Sequence, residues 1–243
     1  MNIRVTCAMV AGLLIFLGCA HQHGPAHAGT AAEIRQDPGP SFKPLFPVDG
    51  PPAGWVIRNW MDIAQLAPTN AVWSVQDGIL RSGIPRGTWL VGEPEYGDFT
   101  LEFDFRLGER GNGAVGLRLP AGGNPAVDAL EIRLVDPAFF GTNYAAPSQD
   151  LTGSLCKLIP PASTNAFRRA EWNRLSVTCK GAQLVADLNQ VRILDLDLAS
   201  NTEPPRQGRP LAERPRRGRI GFQELSRGTA QLEIRNVRVK SLD

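Results

Sequence analysis

The chain has 243 residues, a formal net charge of +2 and four cysteines. So even a balance of charge gives no reason to expect a nucleic-acid partner. Gly 25 and Pro 20 suit many turns between short strands, and few stretches show helical spacing, which argues against a bundle or a βαβ fold.

From the N-terminus, Met1–Arg4 is a basic start, Val5–Leu17 an apolar run, and Gly18-Cys19 a small residue followed by a cysteine. This reads as a secretory signal, residues 1–19, too short for a comfortable transmembrane helix. Phe16-Leu17-Gly18-Cys19 resembles a bacterial lipobox, with Phe16 where Leu is usual. On that reading Cys19 is lipidated and the protein is exported to the periplasm or outer membrane, held to a membrane by a lipid anchor. Plain cleavage near Ala26–Ala28, with release, is the alternative. Residues 20–41 form a tail of Gly, Ala, Pro, His and Gln. His21, His23 and His27 all lie there, and a segment of this kind reads as solvated linker before metal site. The domain proper, residues 42–243, has no histidine. That argues against Ser–His–Asp or Cys–His catalysis and against His-ligated zinc, and no metal or cofactor is implied.

Within the domain, Phe42–Trp55 alternates apolar and turn residues, and Arg58–Asn70 reads as a connection with one helical turn near Met61–Leu66. Asp77-Gly78 between two apolar stretches is a strong hairpin signal. Gly87–Val91 reads as a short strand carrying Trp89. The clearest element is Asp98–Leu107. Phe99, Leu101, Phe103, Phe105 and Leu107 alternate with Thr100, Glu102, Asp104 and Arg106, the period of a strand with one buried and one polar face. Val115–Leu119 and Leu130–Val135 follow, separated by the Gly-rich loop Ala121–Pro125. Pro137–Pro147 is a loop whose Phe139, Phe140 and Tyr144 are placed to overhang a groove. Leu151–Leu158 reads as a strand, Trp172–Cys179 and Gln183–Leu188 as a hairpin, and Val191–Leu196 as the next strand. Asn201–Arg219, rich in Pro and Arg, reads as a solvated insertion, with binding to an anionic surface as a minority alternative. Gly218–Glu224 and Ala230–Lys240 close the domain. Roughly eleven strands with no βαβ rhythm predict an all-β fold, a sandwich of two antiparallel sheets, and the length favours a jelly roll. Cys156 and Cys179, both on predicted strands, are compatible with a disulfide or with two buried thiols.

Parity assigns the faces. Glu102, Asp104 and Arg106 oppose the core on the central strand, as do Arg118 on Ala114–Leu119 and Glu131 with Arg133 on Ala129–Asp136. Gln223 and Glu224 add a polar pair at a strand end. If the strands are neighbours, Arg118, Glu131 and Arg133 converge, and Trp89 and Tyr144 are available to stack on sugar rings. An ordinary polar sheet face with cross-strand ion pairs is the plainer reading.

The order of local motifs resembles a known family. Leu45–Gly50 with Gly54-Trp55, Trp73–Leu80, Glu95–Leu101, Gly111–Arg118, Leu130–Asp136, Glu171–Asn173, Leu188-Asn189, Gly221–Gln223 and Arg235–Arg238 fall in the sequence seen in the 3-keto-disaccharide hydrolase domain family. The resemblance spans about Phe42 to Leu242. It implies a concanavalin A-like jelly roll, export, and action on an oxidised disaccharide or related carbohydrate by acid/base elimination and hydration. It also implies Glu131 as the acid/base group, with Asp136 as a candidate second carboxylate and Arg118 and Gln223 as sugar contacts; on the residues themselves Glu224 joins the candidate catalytic groups and Arg133 the candidate sugar contacts. Three departures stand out: Arg133 replaces a common Gln, Gln190 a common Gly, and Glu224-Leu225-Ser226 a common Asp-His-Gly. Loss of that His leaves a carbohydrate-binding module, or a lectin-like interaction domain, as the alternative to an enzyme.

Overall fold

The computed structural model describes residues 41–83, 87–141, 145–227, 229 and 231–243. The signal region, the proposed lipidation site Cys19 and Tyr144 lie outside them. In chain order the strands are β1 (Lys43–Pro44), β2 (Trp55–Asn59), β3 (Trp73–Gln76), β4 (Ile79–Ser82), β5 (Thr88–Tyr96), β6 (Phe99–Leu107), β7 (Asn112–Leu119), β8 (Leu130–Val135), β9 (Asn173–Lys180), β10 (Gln183–Leu188), β11 (Val191–Asp197), β12 (Gly218–Glu224) and β13 (Leu232–Ser241). One short helix, α1 (Pro125–Asp128), sits between β7 and β8.

The strands form two antiparallel sheets in a jelly-roll β-sandwich. The larger runs β11-β10-β9-β6-β13-β4-β3, with β1 added against β13, and the smaller runs β2-β5-β12-β7-β8. The central strand behaves as its period demands: its five apolar residues are buried and the four between them are partly exposed. Its partners supply the rest of the core. Phe103, Phe105, Leu175, Val177, Ile234 and Val239 from the large sheet meet Leu90, Val115, Leu117, Ile132 and Phe222 from the small one. Burial of this many large side chains is the main stabilising term. The Asp77-Gly78 hairpin forms as read, both residues taking positive φ (52° and 69°) between β3 and β4, the geometry of a two-residue turn.

Several readings are corrected. Met61–Leu66 is not helical; it is a turn closed by a bridge between Arg58 and Leu66. Preceding it, Trp55–Asn59 is a strand the sequence did not announce, because Arg58 and Asn59 break its apolar run. Leu151–Leu158 is not a regular strand. It is a chain of turns that touches the edge of β8 through Gly153, Ser154, Leu155 and Cys156. Of the two readings left open for Cys156 and Cys179, the structure has the free, buried thiols, one in that segment and one in the core on β9. The insertion is not a purely solvated loop: Leu211 joins the core and Arg214 is only 2 % exposed.

Candidate functional site

The small sheet has a second face, away from the core, and its register can be read residue by residue. Cross-strand pairing puts Arg58, Trp89, Gln223, Ala114 and Arg133 in one row across β2, β5, β12, β7 and β8. The next row is Val56, Val91, Gly221, Gly116 and Glu131. Parity therefore does gather Glu131, Arg133, Gln223 and Trp89. All four are buried, and every residue of β7 and β8 is buried on both faces.

The burial comes from segments laid over the face. Ile63 is held there by its N–H to the Gly123 carbonyl, and joins Trp89, Val91, Ala114, Leu119 and Ala129 in a second apolar cluster. Leu119 lies over the two glycines of the second row: a Cβ on Gly116 or Gly221 would come within 2.6 or 2.7 Å of its methyl groups. Residues 153–156 border β8 through Arg133 N–H to the Ser154 carbonyl (3.0 Å) and Cys156 N–H to the Glu131 carbonyl (2.8 Å). From the insertion, Arg214 donates to the carbonyls of Ala129, Ala126 and Arg209.

The site is polar inside this cover. Glu131 Oε1 lies 3.7 Å from Arg133 Nη1, a loose pair. Burial outweighs that attraction and holds the Glu131 carboxyl above its usual range. The Cys156 thiol is also pushed up, by burial first and then by the Glu131 charge. Trp89 Nε1, Gln223 Oε1, Arg133 Nε and Arg214 Nη2 are buried with no hydrogen-bond partner. Such groups are costly unless something fills them. A cleft of about 650 Å³ opens between Ala126 and Val127, the Gln149–Asp150 and Lys157–Leu158 turns, and Pro205–Gln207, and the Ala126 carbonyl on its wall accepts from Arg214. Lys157 on its wall also draws the Glu131 carboxyl down, against the effect of burial.

Other expected site residues go elsewhere. Arg118 does not join Glu131. A bulge on β7 puts it at φ 50°, and its guanidinium turns to the end of the sandwich. There it donates to Gly97 O and Gly181 O at 2.8 Å and pairs with Asp98 at 3.2 Å, tying the β5–β6 and β9–β10 turns together. Glu224 points away from the row. It accepts the N–H groups of Ser226, Gln231 and Leu232 at 2.7–3.0 Å, which fixes the start of β13. Asp136 caps the turn Pro137–Phe140 through Ala138 N–H (2.8 Å) and pairs with Arg169 at 2.9 Å. Trp89 is fully buried, so it offers no open stacking platform. Sequence reasoning missed Arg214, since a run of arginines among prolines carries no sign of which one turns inward.

A jelly-roll sandwich with an ionisable, covered face on its smaller sheet defines the class. The sequence pattern of the 3-keto-alpha-glucoside-1,2-lyase-like domain matches residues 41–240, and the chain belongs to that family. No curated protein matches it. Three solved structures from Parabacteroides distasonis, all provisionally classed as glycosyl hydrolases, share its fold. The first has a TM-score of 0.66 at 21 % identity, covering 83 % of this chain and 100 % of its own. The second has a TM-score of 0.63 at 18 % identity, covering 83 % and 94 %. The third has a TM-score of 0.52 at 15 % identity, covering 87 % and 95 %. At these identities the likeness is one of fold.

Proposed function

We propose that the Glu131 face takes 3-keto-glycosides and cleaves them by elimination and hydration. The observation that carries the reading is a buried carboxyl on the outer face of the small sheet, raised in pKa and 3.7 Å from Arg133, whose Nε has no partner. A ketone at C3 acidifies the proton on C2. Glu131 as carboxylate removes that proton, and the electron pair moves onto the C3 oxygen as an enolate. Arg133, beside Glu131, supplies an N–H donor for that oxygen. The enolate collapses, expels the anomeric oxygen, and protonated Glu131 returns its proton to the leaving group. Water then adds to the enone. Direct hydrolysis would need a second carboxylate about 5–10 Å from the first. Asp136 and Glu224, the expected partners, are engaged in structural contacts, which favours the one-carboxylate route. Glu131 is 2 % exposed, so substrate reaches it from the neighbouring cleft only as the covering turns move.

The test is incubation with 3-keto-glucosides and with the unoxidised glycosides, for wild type and Glu131→Gln. Enone absorbance and released alcohol should appear with the keto substrate and wild type alone. Equal inertness of the two proteins sinks the enzyme reading. The absence of histidine from the domain favours a second reading, a carbohydrate-binding module that kept the groove without the chemistry. Sugar binding without turnover would select it. Export with lipidation at Cys19 belongs to the same proposal; a Cys19→Ala chain should leave the membrane fraction, and an unchanged distribution rejects the anchor.

A further inference from the structure

Arg214 fastens the insertion over the sheet, but its charge has no partner among the described residues. Its side chain is 2 % exposed, yet among the described residues it forms no ion pair. Its contacts are backbone carbonyls: Ala129, two residues before Glu131, then Ala126 and Arg209. Nη2 is buried and unpartnered. The carboxylate that acts on it most strongly, Asp128, already faces Arg209 at 3.8 Å and accepts the Asn124 N–H at 2.9 Å. Glu131 is also near, but it has its own arginine at 3.7 Å. Glu131 is thus the partner of Arg133, and burial inclines it to be neutral, so it leaves the Arg214 charge without a carboxylate of its own. An uncompensated buried cation costs several kcal/mol. The natural remedy is an anion brought by the ligand. A developing enolate would serve for an instant only, whereas a permanent charge serves as long as the ligand stays. The approach is biased the same way. The adjoining cleft shares Ala126 with the Arg214 contacts and carries Lys157 and Arg206 against Asp150.

We propose that Arg214 is a substrate-binding residue, and that the sugar this site takes carries an anionic group, a carboxylate or a sulfate ester. Only Nη2 is free for it, so recognition is by one charge-assisted N–H and does not by itself separate the two anions. The inference rests on the reading of the Glu131 face as a sugar site. It also gives the insertion a purpose: to carry a positive charge inward over the sheet.

The experiment is calorimetric titration of the full chain with methyl glucuronoside, methyl glucoside 6-sulfate and methyl glucoside. Wild type should bind at least one of the anionic sugars about ten-fold to a hundred-fold more tightly than the neutral one. In Arg214→Met, which keeps the apolar stem, that ratio should fall close to one. In Arg214→Lys, which keeps the charge, part of it should survive and guard against a folding defect in the first variant. Equal affinity of wild type for charged and neutral sugars overturns the anion assignment while the sugar reading stands. A preference that persists in Arg214→Met overturns the role of Arg214. No binding of either anionic sugar overturns the anion assignment, and titration with methyl 3-keto-glucoside then shows separately whether the sugar reading stands.

Discussion

Glu131 is pulled two ways. Burial favours its acid form, and Arg133 at 3.7 Å favours its carboxylate; at that separation burial prevails. The sign for stability follows. A carboxyl whose pKa is raised on folding stabilises the fold fully below its unfolded value, near 4.5, and this is lost as pH climbs through the raised folded value. Urea midpoints for wild type should therefore fall over that window, and Glu131→Gln should remove this part of the slope. If Glu131 is the base, the rate on keto-glycosides should rise with pH through the same raised value, and Glu131→Gln should cost about a hundred-fold to ten-thousand-fold. Arg118 is the contrasting residue. It is fully buried, and its guanidinium holds two turns by three contacts. Arg118→Ala should cost about 3–5 kcal/mol in urea unfolding, because it empties the space of a fully buried side chain and breaks all three contacts that join the turns.

The element that separates these two residues is the bulge at the end of β7. Pairing with β12 shifts between Arg219 and Gly221, so the strand does not keep its period through Arg118 and Leu119. Arg118 swings to the sandwich end, and Leu119 turns onto the Glu131 face, covering Gly116 and Gly221. β12 must come very close to make this work. A Cβ on Gly218 would stand 2.4 Å from the Leu119 carbonyl oxygen and 2.5 Å from Arg118 C, both backbone atoms that cannot step aside. Gly218→Ala is therefore expected to cost about 3 kcal/mol or more, read as a lowered urea midpoint. A midpoint unchanged by that methyl group would show that the two strands do not approach as described.

For the whole molecule, stability comes from the shared core between two sheets and not from cross-links. Cys156 and Cys179 are free and buried, and the Cys179 thiol is pushed up to about 12 by burial. Reducing agent should leave the melting temperature unchanged, and both thiols should react slowly with alkylating reagents until the domain unfolds. A drop on reduction would instead reveal a disulfide, worth typically 2–4 kcal/mol. The two outer faces of the sandwich are also unlike each other. On the large sheet, Glu102, Asp104 and Glu233 sit in open ion pairs with Arg174, Arg238, Arg235, Arg81 and Arg106, and exposed pairs of this kind contribute little. On the small sheet the ionisable groups are covered.

The sequence by itself determined the strand content, the core residues and the alternation of faces. Those are local properties, set by a period of two and by turn residues such as Asp77-Gly78. It also put Glu131 and Arg133 opposite the core side chains of their own strand, but that they share one face with Gln223 and Trp89 came from the strand order. It did not determine which sheet each strand joins, so Glu102 and Glu131, alike in pattern, lie outside opposite sheets. Nor did it reveal the bulge that removes Arg118, the backbone that claims Glu224, or the insertion that brings Arg214 in. Each of those depends on pairings between residues far apart in the chain, where one extra residue in a strand reverses the direction of every side chain after it.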